Sequence, residues 1–333
     1  MQELTLRGTY SEMGKKLGQL MKKNNAEVPP VAEDRFEMAK GCERALEKYA
    51  PTLLEEIDAM VKAAGCKDTN LKVFQLALNP YPANGCSIFA VDGKHTTTGK
   101  TIFARNYDWA YDGLQYFNLF KTYPKGALAS LGYCDLAVGR YGGINEAGLA
   151  IALTAIPAFP QDVPGVMLHL ATQWILDNCS TVKEAISYMR QIPHVRANNY
   201  LVADSQGDMA CIQAAPKRVE VVKPVDGLVI ATNHFQTPEM QAFEVPDRIP
   251  PSSLPRLEHI RTWFKKRKGK IDQVQAQSEL KGLIANGAGV CQDFMKNNAR
   301  FSSIFSWTHE LGTREIQLTD GIPSEFPYKK HSF

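Results

Sequence analysis

Four residues of this chain have types and settings that could do chemistry together: Cys86, Arg105, Asp108 and Asn233. Cys86 follows Gly85 and opens the apolar run Ser87-Ile88-Phe89-Ala90-Val91. A lone cysteine in an apolar stretch is ordinarily a packed core residue. Glycine before it, however, can take backbone conformations closed to other residues, which would put the Gly85–Cys86 peptide in a tight turn facing the thiol. If the chain were cut between these two residues, the new terminal residue would hold both a thiol and an α-amine whose ordinary pKa is about 7.7–8.0. Such an amine is a suitable general base for its own side chain, and no partner histidine is then needed.

The remaining candidates are placed by strands. A strand from Thr101 to Ala104 runs into Arg105-Asn106-Tyr107-Asp108-Trp109, with Asp92-Gly93 and Thr98-Gly99 as turn chemistry behind it. The resulting hairpin returns Arg105 and Asp108 beside Cys86. Taken alone, an Arg-x-x-Asp at a strand end reads as an exposed ion pair of little worth. Asn233 follows the apolar strand Leu228-Val229-Ile230-Ala231, where a turn asparagine would be equally at home.

Those strands need a scaffold. Residues 1 to about 80 are helical in pattern: Thr9 and Glu12 have capping-box spacing, a second helix spans roughly Val31 to Tyr49, and a third runs from Pro51 to the stop at Gly65. Asn79-Pro80-Tyr81-Pro82 ends this leader. Short strand-like runs follow at Ser87–Val91, Thr101–Arg105, Phe117–Thr122, Leu136–Arg140 and Ala150–Thr154, then helices at Val166–Asn178 and Thr181–Gln191. Four more strands lie between Tyr200 and Thr232. Helices at about 252–268 and 272–285 precede a last strand pair, Phe301–Trp307 and Glu315–Leu318. Periodicity alone supports an α+β class; this order suits two antiparallel sheets stacked face to face with helices outside both.

At 333 residues, with a formal charge of +3, the chain can bury a substantial core and has no general affinity for nucleic acid or an anionic membrane. The basic run Lys265-Lys266-Arg267-Lys268 ends a helix, where cations complement the dipole. Seven cysteines with no C-x-x-C pair predict neither a zinc site nor a disulfide framework. There is no metal motif or phosphate loop, so no cofactor is expected. The first residues lack the apolar core of a signal peptide and no apolar run approaches a membrane span, which predicts a cytoplasmic protein. Homo-oligomerisation is left open.

Gly85-Cys86, Arg105-Asn106-Tyr107-Asp108-Trp109 and Thr232-Asn233-His234-Phe235 together resemble the acyl-CoA:6-aminopenicillanate acyltransferase family of N-terminal-nucleophile (Ntn) hydrolases. Choloylglycine hydrolases, penicillin V acylases and acid ceramidase are its more distant relatives. The leader, Gly8-Thr9-Tyr10-Ser11-Glu12-Met13-Gly14 through Gly18-Gln19-Leu20, is similar to the family's propeptide, and Gly143 to Leu149 to its central turn. The resemblance implies a four-layer αββα sandwich of two antiparallel sheets, with residues 1–85 as leader and 86–333 as catalytic segment within one integrated domain. It also implies roles: Cys86 as nucleophile after self-cleavage at Gly85/Cys86, Arg105 near the sulfur, Asp108 accepting from the terminal amine, and Asn233 donating to the oxyanion. Trp109 would line an acyl pocket. Arg300 matches a late active-site arginine of the choloylglycine relatives, with a sheet-edge ion pair as the alternative. Where those relatives have a second polar pocket residue, this chain has Thr154-Ala155-Ile156, which leaves only a backbone N–H, that of Ala155, to serve. The expected substrate is a small N-acyl amide or acyl thioester with an apolar acyl group, the aromatics Trp109, Tyr111, Tyr116, Phe117 and Phe159 forming its pocket. Two competing readings are a cysteine hydrolase with His234 as base and no cleavage, and a catalytically silent binding protein in which Cys86 is packing.

Overall fold

The structure, a computed structural model, describes residues 1–65, 70–79, 85–157 and 162–333. The chain begins with a strand, β1 (Gln2–Gly8), before the leader helices α1 (Tyr10–Lys23), α2 (Asp34–Tyr49), α3 (Pro51–Ala64) and α4 (Asn70–Leu76). The capping box that opens α1 forms as its spacing predicts: Glu12 N–H donates to Thr9 Oγ1 at 3.2 Å and Thr9 N–H to Glu12 Oε2 at 2.7 Å. Gly65 ends α3 in the left-handed region at φ 69°. The purely helical expectation for the leader misses β1 because a half-exposed edge strand that buries fully only Leu6 carries little periodic signal.

From Gly85 onward come β2 (Gly85–Val91), β3 (Ile102–Ala110), β4 (Asn118–Pro124), β5 (Ser130–Cys134), β6 (Gly142–Asn145) and β7 (Ala150–Ala155), then helices α5 (Leu168–Asn178) and α6 (Val182–Gln191). Strands β8 (Asn198–Ala203), β9 (Met209–Ala215), β10 (Arg218–Val222) and β11 (Leu228–Ala231) follow. A short α7 (Pro238–Gln241) leads to α8 (Ser253–Lys266) and α9 (Gln273–Lys281). The chain closes with β12 (Asp293–Lys296), β13 (Ala299–Glu310), β14 (Glu315–Thr319) and β15 (Tyr328–Ser332). The strand expected over Leu136–Arg140 is a loop, because its backbone donors are claimed elsewhere. Val138 N–H goes to Gln75 Oε1, Gly139 N–H to Gln173 Oε1 and Arg140 N–H to the His169 carbonyl.

One sheet has the order β1-β4-β5-β6-β7-β8-β9-β10; the other has β11-β2-β3-β13-β14-β15, with β12 paired to β13. Every pairing between these strands is antiparallel except that of β1 with β4, which is parallel, a departure from two wholly antiparallel sheets. Alternation along β2 and β3 sorts the layers. Ile88, Ala90 and Phe103 face inward to the large core shared with Leu131, Ile151 and Tyr200 of the first sheet. Phe89, Val91, Ile102 and Ala104 face outward and pack on Leu257, Ile260 and Phe264 of α8 and Leu280 of α9. Helices α5 and α6 cover the other sheet's outer face, completing four layers, αββα. Leader residues Met13, Leu17, Leu53, Ile57 and Met60 join the large inter-sheet core rather than a core of their own.

Candidate active site

The register of β2 against β3 builds the site. Gly85 lies opposite Asp108, Cys86 opposite Tyr107, and Ile88 opposite Arg105. Cys86 and Arg105 therefore share the inward face, and Arg105 Nη2 lies 3.5 Å from Cys86 Sγ. The same guanidinium donates through Nη1 to the Tyr133 hydroxyl and, at 3.0 Å, to the Tyr141 carbonyl. Asp108, three residues on, falls on the opposite face and flanks the backbone at Gly85–Cys86 instead of the thiol. Arg105 and Asp108 are both fully buried and are not paired with each other, so this Arg-x-x-Asp is no surface ion pair.

Gly85 sits in extended strand, not in the left-handed region, so the strained turn expected there is corrected. What the position requires is the absence of a side chain: an added Cβ would meet Gln292 Nε2 and would lie 2.7 Å from Asp108 Oδ2.

Asn233, just beyond β11, reaches Cys86 from the side. Its Oδ1 accepts from the Cys86 backbone N–H at 2.8 Å and from Arg256 Nη2 at 2.9 Å. Arginine only donates, which fixes the end of the amide that is oxygen. Asn233 Nδ2 thus points away from Cys86 N, and one of its two N–H groups donates to the Ala155 carbonyl at 2.9 Å. An oxyanion role rests on the other N–H. Ala155 presents its carbonyl to Asn233, whereas the expectation had been its N–H.

The late arginine at the cysteine is Arg256, not Arg300. Arg300 binds Asp293 at 2.8 and 2.9 Å and Glu325 at 2.5 Å at the edge of the sheet, the ion-pair alternative. Arg256, on the first turn of α8, is fully buried; its Nη1 donates to the Cys86 carbonyl and, at 3.0 Å, to Ser87 Oγ. A sequence signal existed. Ser253, Arg256, Leu257, Ile260 and Phe264 form one buried helix stripe, and a charged residue in such a stripe marks a buried polar site. Gln292, whose Nε2 donates to Asp108 Oδ2 at 2.5 Å, and Ser303, whose Oγ donates to Asp108 Oδ1 at 2.6 Å, had no such signal.

Electrostatically, burial pushes the Cys86 thiol above its ordinary value even though Arg105 pulls the other way. The resting residue is a thiol, and a base must take its proton. His234 Nδ1 is engaged by Ser253 Oγ at 2.8 Å and Thr232 Oγ1 at 3.1 Å, and among the described residues no hydrogen bond joins its ring to Cys86. Burial also lowers its basicity.

Trp109, half-buried, stands past the end of β2 opposite Ser302. Beyond it a cavity of about 420 Å³ is lined by Tyr111, Leu114 and Phe117 together with Met1, Gln2, Asp112 and Gln115. Phe117 stacks edge-on at 5.0 Å against Tyr107, the cross-strand partner of Cys86. Tyr116 is turned to solvent, and Phe159 lies outside the described residues. Among the described residues no group of three His, Cys, Asp or Glu side chains could hold a metal ion, and no helix is long and apolar enough to cross a membrane.

No curated protein matches the chain in sequence. Among solved structures, the fold is similar to a variant of the conjugated bile acid hydrolase from Clostridium perfringens, with TM-score 0.51 and 15% identity over 74% of this chain and 97% of that one. Weaker likenesses are a Caenorhabditis elegans ortholog of N-acylethanolamine-hydrolyzing acid amidase (TM-score 0.44, 13% identity, 72% and 93% covered) and penicillin V acylase from Agrobacterium tumefaciens (0.40, 16%, 70% and 82%). The model of the acyl-coenzyme A:6-aminopenicillanic acid acyl-transferase family matches residues 95–325, a span that begins after Cys86 and takes in Arg105, Asp108, Asn233 and Arg256. With more than half of its length matched and the Ntn-hydrolase sandwich around it, the chain belongs to that family.

Proposed function

We propose that the protein is a self-processing N-terminal cysteine amidohydrolase or acyltransferase that works on linear N-acyl amides through a Cys86 thioester. The observation that carries this reading is the setting of the thiol: it is held 3.5 Å from Arg105, kept protonated by burial, and bonded to no imidazole among the described residues. A base must come from somewhere, and scission at Gly85/Cys86 creates one on Cys86 itself. In processing, the sulfur adds to the Gly85 carbonyl and the C–N bond breaks, the thiol proton passing to the departing nitrogen, which frees the Cys86 amine and leaves Gly85 on the sulfur as a thioester; water then hydrolyses that thioester to the Gly85 carboxylate and the free Cys86 thiol. In turnover, that amine takes the thiol proton as sulfur adds to the substrate carbonyl. The N–H of Asn233 Nδ2 that is not given to Ala155 is the donor assigned here to the developing oxyanion, a kind of contact whose loss costs about 10²–10³ in rate. The ammonium then returns its proton to the departing amine, and water or a second amine resolves the thioester. An apolar acyl group would lie against Tyr111, Leu114 and Phe117 in the open hollow that they share with Gln2, Asp112 and Gln115.

Denaturing mass spectrometry of fresh protein tests this, with amine release from N-acyl amides of rising acyl length as the activity readout. Two pieces, one ending at Gly85 and one beginning at Cys86, are expected, with Cys86→Ala whole and inactive. A wild-type protein that stays one chain yet turns over substrate overturns the mechanism.

A further inference from the structure

Asp108 is held by a chain of side chains whose donors lead to it. Arg256 Nε donates to Ser252 Oγ at 3.3 Å. Ser252 in turn donates to Gln292 Oε1, 2.7 Å away. With its oxygen so occupied, Gln292 presents its NH₂ to Asp108 Oδ2 at 2.5 Å. The ring closes where Arg256 Nη1 comes within 3.8 Å of the same carboxylate oxygen. The other oxygen is fixed in the same manner. Ser303 Oγ accepts from the Gln292 backbone N–H at 3.0 Å and donates to Asp108 Oδ1 at 2.6 Å.

Gln292, like Asp108, also touches the scission point, since a Cβ at Gly85 would collide with its Nε2. Among the described residues neither Gln292 nor Ser252 is hydrogen-bonded to Cys86 Sγ, and neither lines the cavity beyond Trp109.

We propose that Gln292, oriented by Ser252, is a positioning residue for this reaction: it holds the Asp108 carboxylate in fixed geometry beside the amine that scission leaves on Cys86. The inference rests on the self-processing reading. Donors to both oxygens spend part of the charge of Asp108, which limits how far it can stabilise the ammonium form of the neighbouring amine. That extends activity toward low pH. Removing the Gln292 amide reverses the effect, whereas a residue that only fills space would change the amount of active protein and not the pH at which it works.

The test is the pH profile of kcat/KM for N-octanoyl p-nitroanilide, measured on processed protein whose two pieces have been verified by mass. Gln292→Leu is expected to move the acid limb upward by about one pH unit, with kcat above the limb reduced less than tenfold. Gln292→Glu, which sets a second carboxyl beside Asp108, is expected to move it further. Ser252→Ala keeps the amide but frees it to rotate, and gives a smaller upward shift; it serves as the readout where Gln292→Leu fails to fold. An acid limb unmoved in both Gln292→Leu and Ser252→Ala, or unmoved in Ser252→Ala alone where Gln292→Leu does not fold, overturns the proposal. A wild-type protein that is a single active chain overturns the self-processing reading and this inference with it, and mass alone identifies that case.

Discussion

A β-carbon at position 85 would be driven into Gln292 Nε2 and Asp108, both of which are tied into the hydrogen-bonded ring and cannot give way cheaply. The glycine is needed for the approach of two side chains, not for an unusual backbone angle. On the self-processing reading proposed above, Gly85→Ala is therefore expected to fold but to process slowly. Overpacking of about 1–3 kcal/mol at the scission point corresponds to roughly a 5- to 150-fold lower rate, read from the time course of the two fragments by mass spectrometry. Cleavage of the variant at the wild-type rate would show that Asp108 and Gln292 do not crowd this peptide. The same close quarters explain why Arg105 and Asp108 act on different parts of Cys86. A spacing of three on a strand places them on opposite faces, one at the sulfur and one at the backbone.

At the scale of elements, α1 packs on α3 more closely than ordinary side chains allow. Gly14 and Gly18 line the contact, and a Cβ at either would strike the carbonyl oxygen of Glu56 or Met60. In an open helix position, alanine would stabilise by about 1 kcal/mol over glycine. Here the obstacle is backbone, so Gly18→Ala is expected to destabilise by about 1–3 kcal/mol, seen as a lower Tm in thermal unfolding. A Tm that rises would mean that the two helices have room to part. Asn145 plays the corresponding part in the body: it accepts from Leu149 N–H at 3.0 Å and donates to the Leu176 and Cys179 carbonyls at 2.9 and 2.7 Å, pinning the end of α5 to the β6–β7 turn.

Across the whole molecule, leader and body meet at a buried ionisable cluster. Tyr10 donates to Asp177 Oδ2 at 3.1 Å, Gln173 donates to Glu56 Oε2 at 3.0 Å, and the Arg140 guanidinium lies fully buried over the Phe120 ring. Burial raises Glu56 to about 8 and Asp177 to about 7, against the pull of Arg140. A carboxyl whose folded value is raised favours the folded state while protonated. Stability is then full below the unfolded values near 4 and declines as pH climbs through 7 to 8, by up to about 1.4 kcal/mol per pH unit for each group titrating. The Tm is expected to fall between pH 5 and 8, and Glu56→Gln, which keeps the acceptor for Gln173, to flatten that slope. An unchanged slope in the variant would remove Glu56 from the account. Arg35 and Arg196, both bound to Asp162 at 2.8 and 2.5 Å, tie the leader to the body a second time.

Local pattern in the sequence was enough for the capped helices, for the alternating strands that give the class, and for the hairpin that returns Arg105 and Asp108 to Cys86, because each depends on neighbours within about twenty residues. The same locality explains what escaped. β1 pairs with β4 more than a hundred residues away, and the loop at Leu136–Arg140 is a loop only because Gln75, His169 and Gln173 claim its donors. The resemblance drew Cys86, Arg105, Asp108 and Asn233 together, and the structure gathers them. It could not show that the carboxylate works from the far side of the strand, that Asn233 turns its oxygen to Cys86, or that Arg300 is spent on Asp293 and Glu325 while Arg256 holds the Cys86 carbonyl. Those outcomes are decided by strand parity and by where α8 docks on the outer face of β2. Residue order encodes the first only once the register is known. It encodes the second only through the packing of Leu257, Ile260 and Phe264 on Phe89 and Val91, which sets the rotation of the helix and so the reach of its arginine.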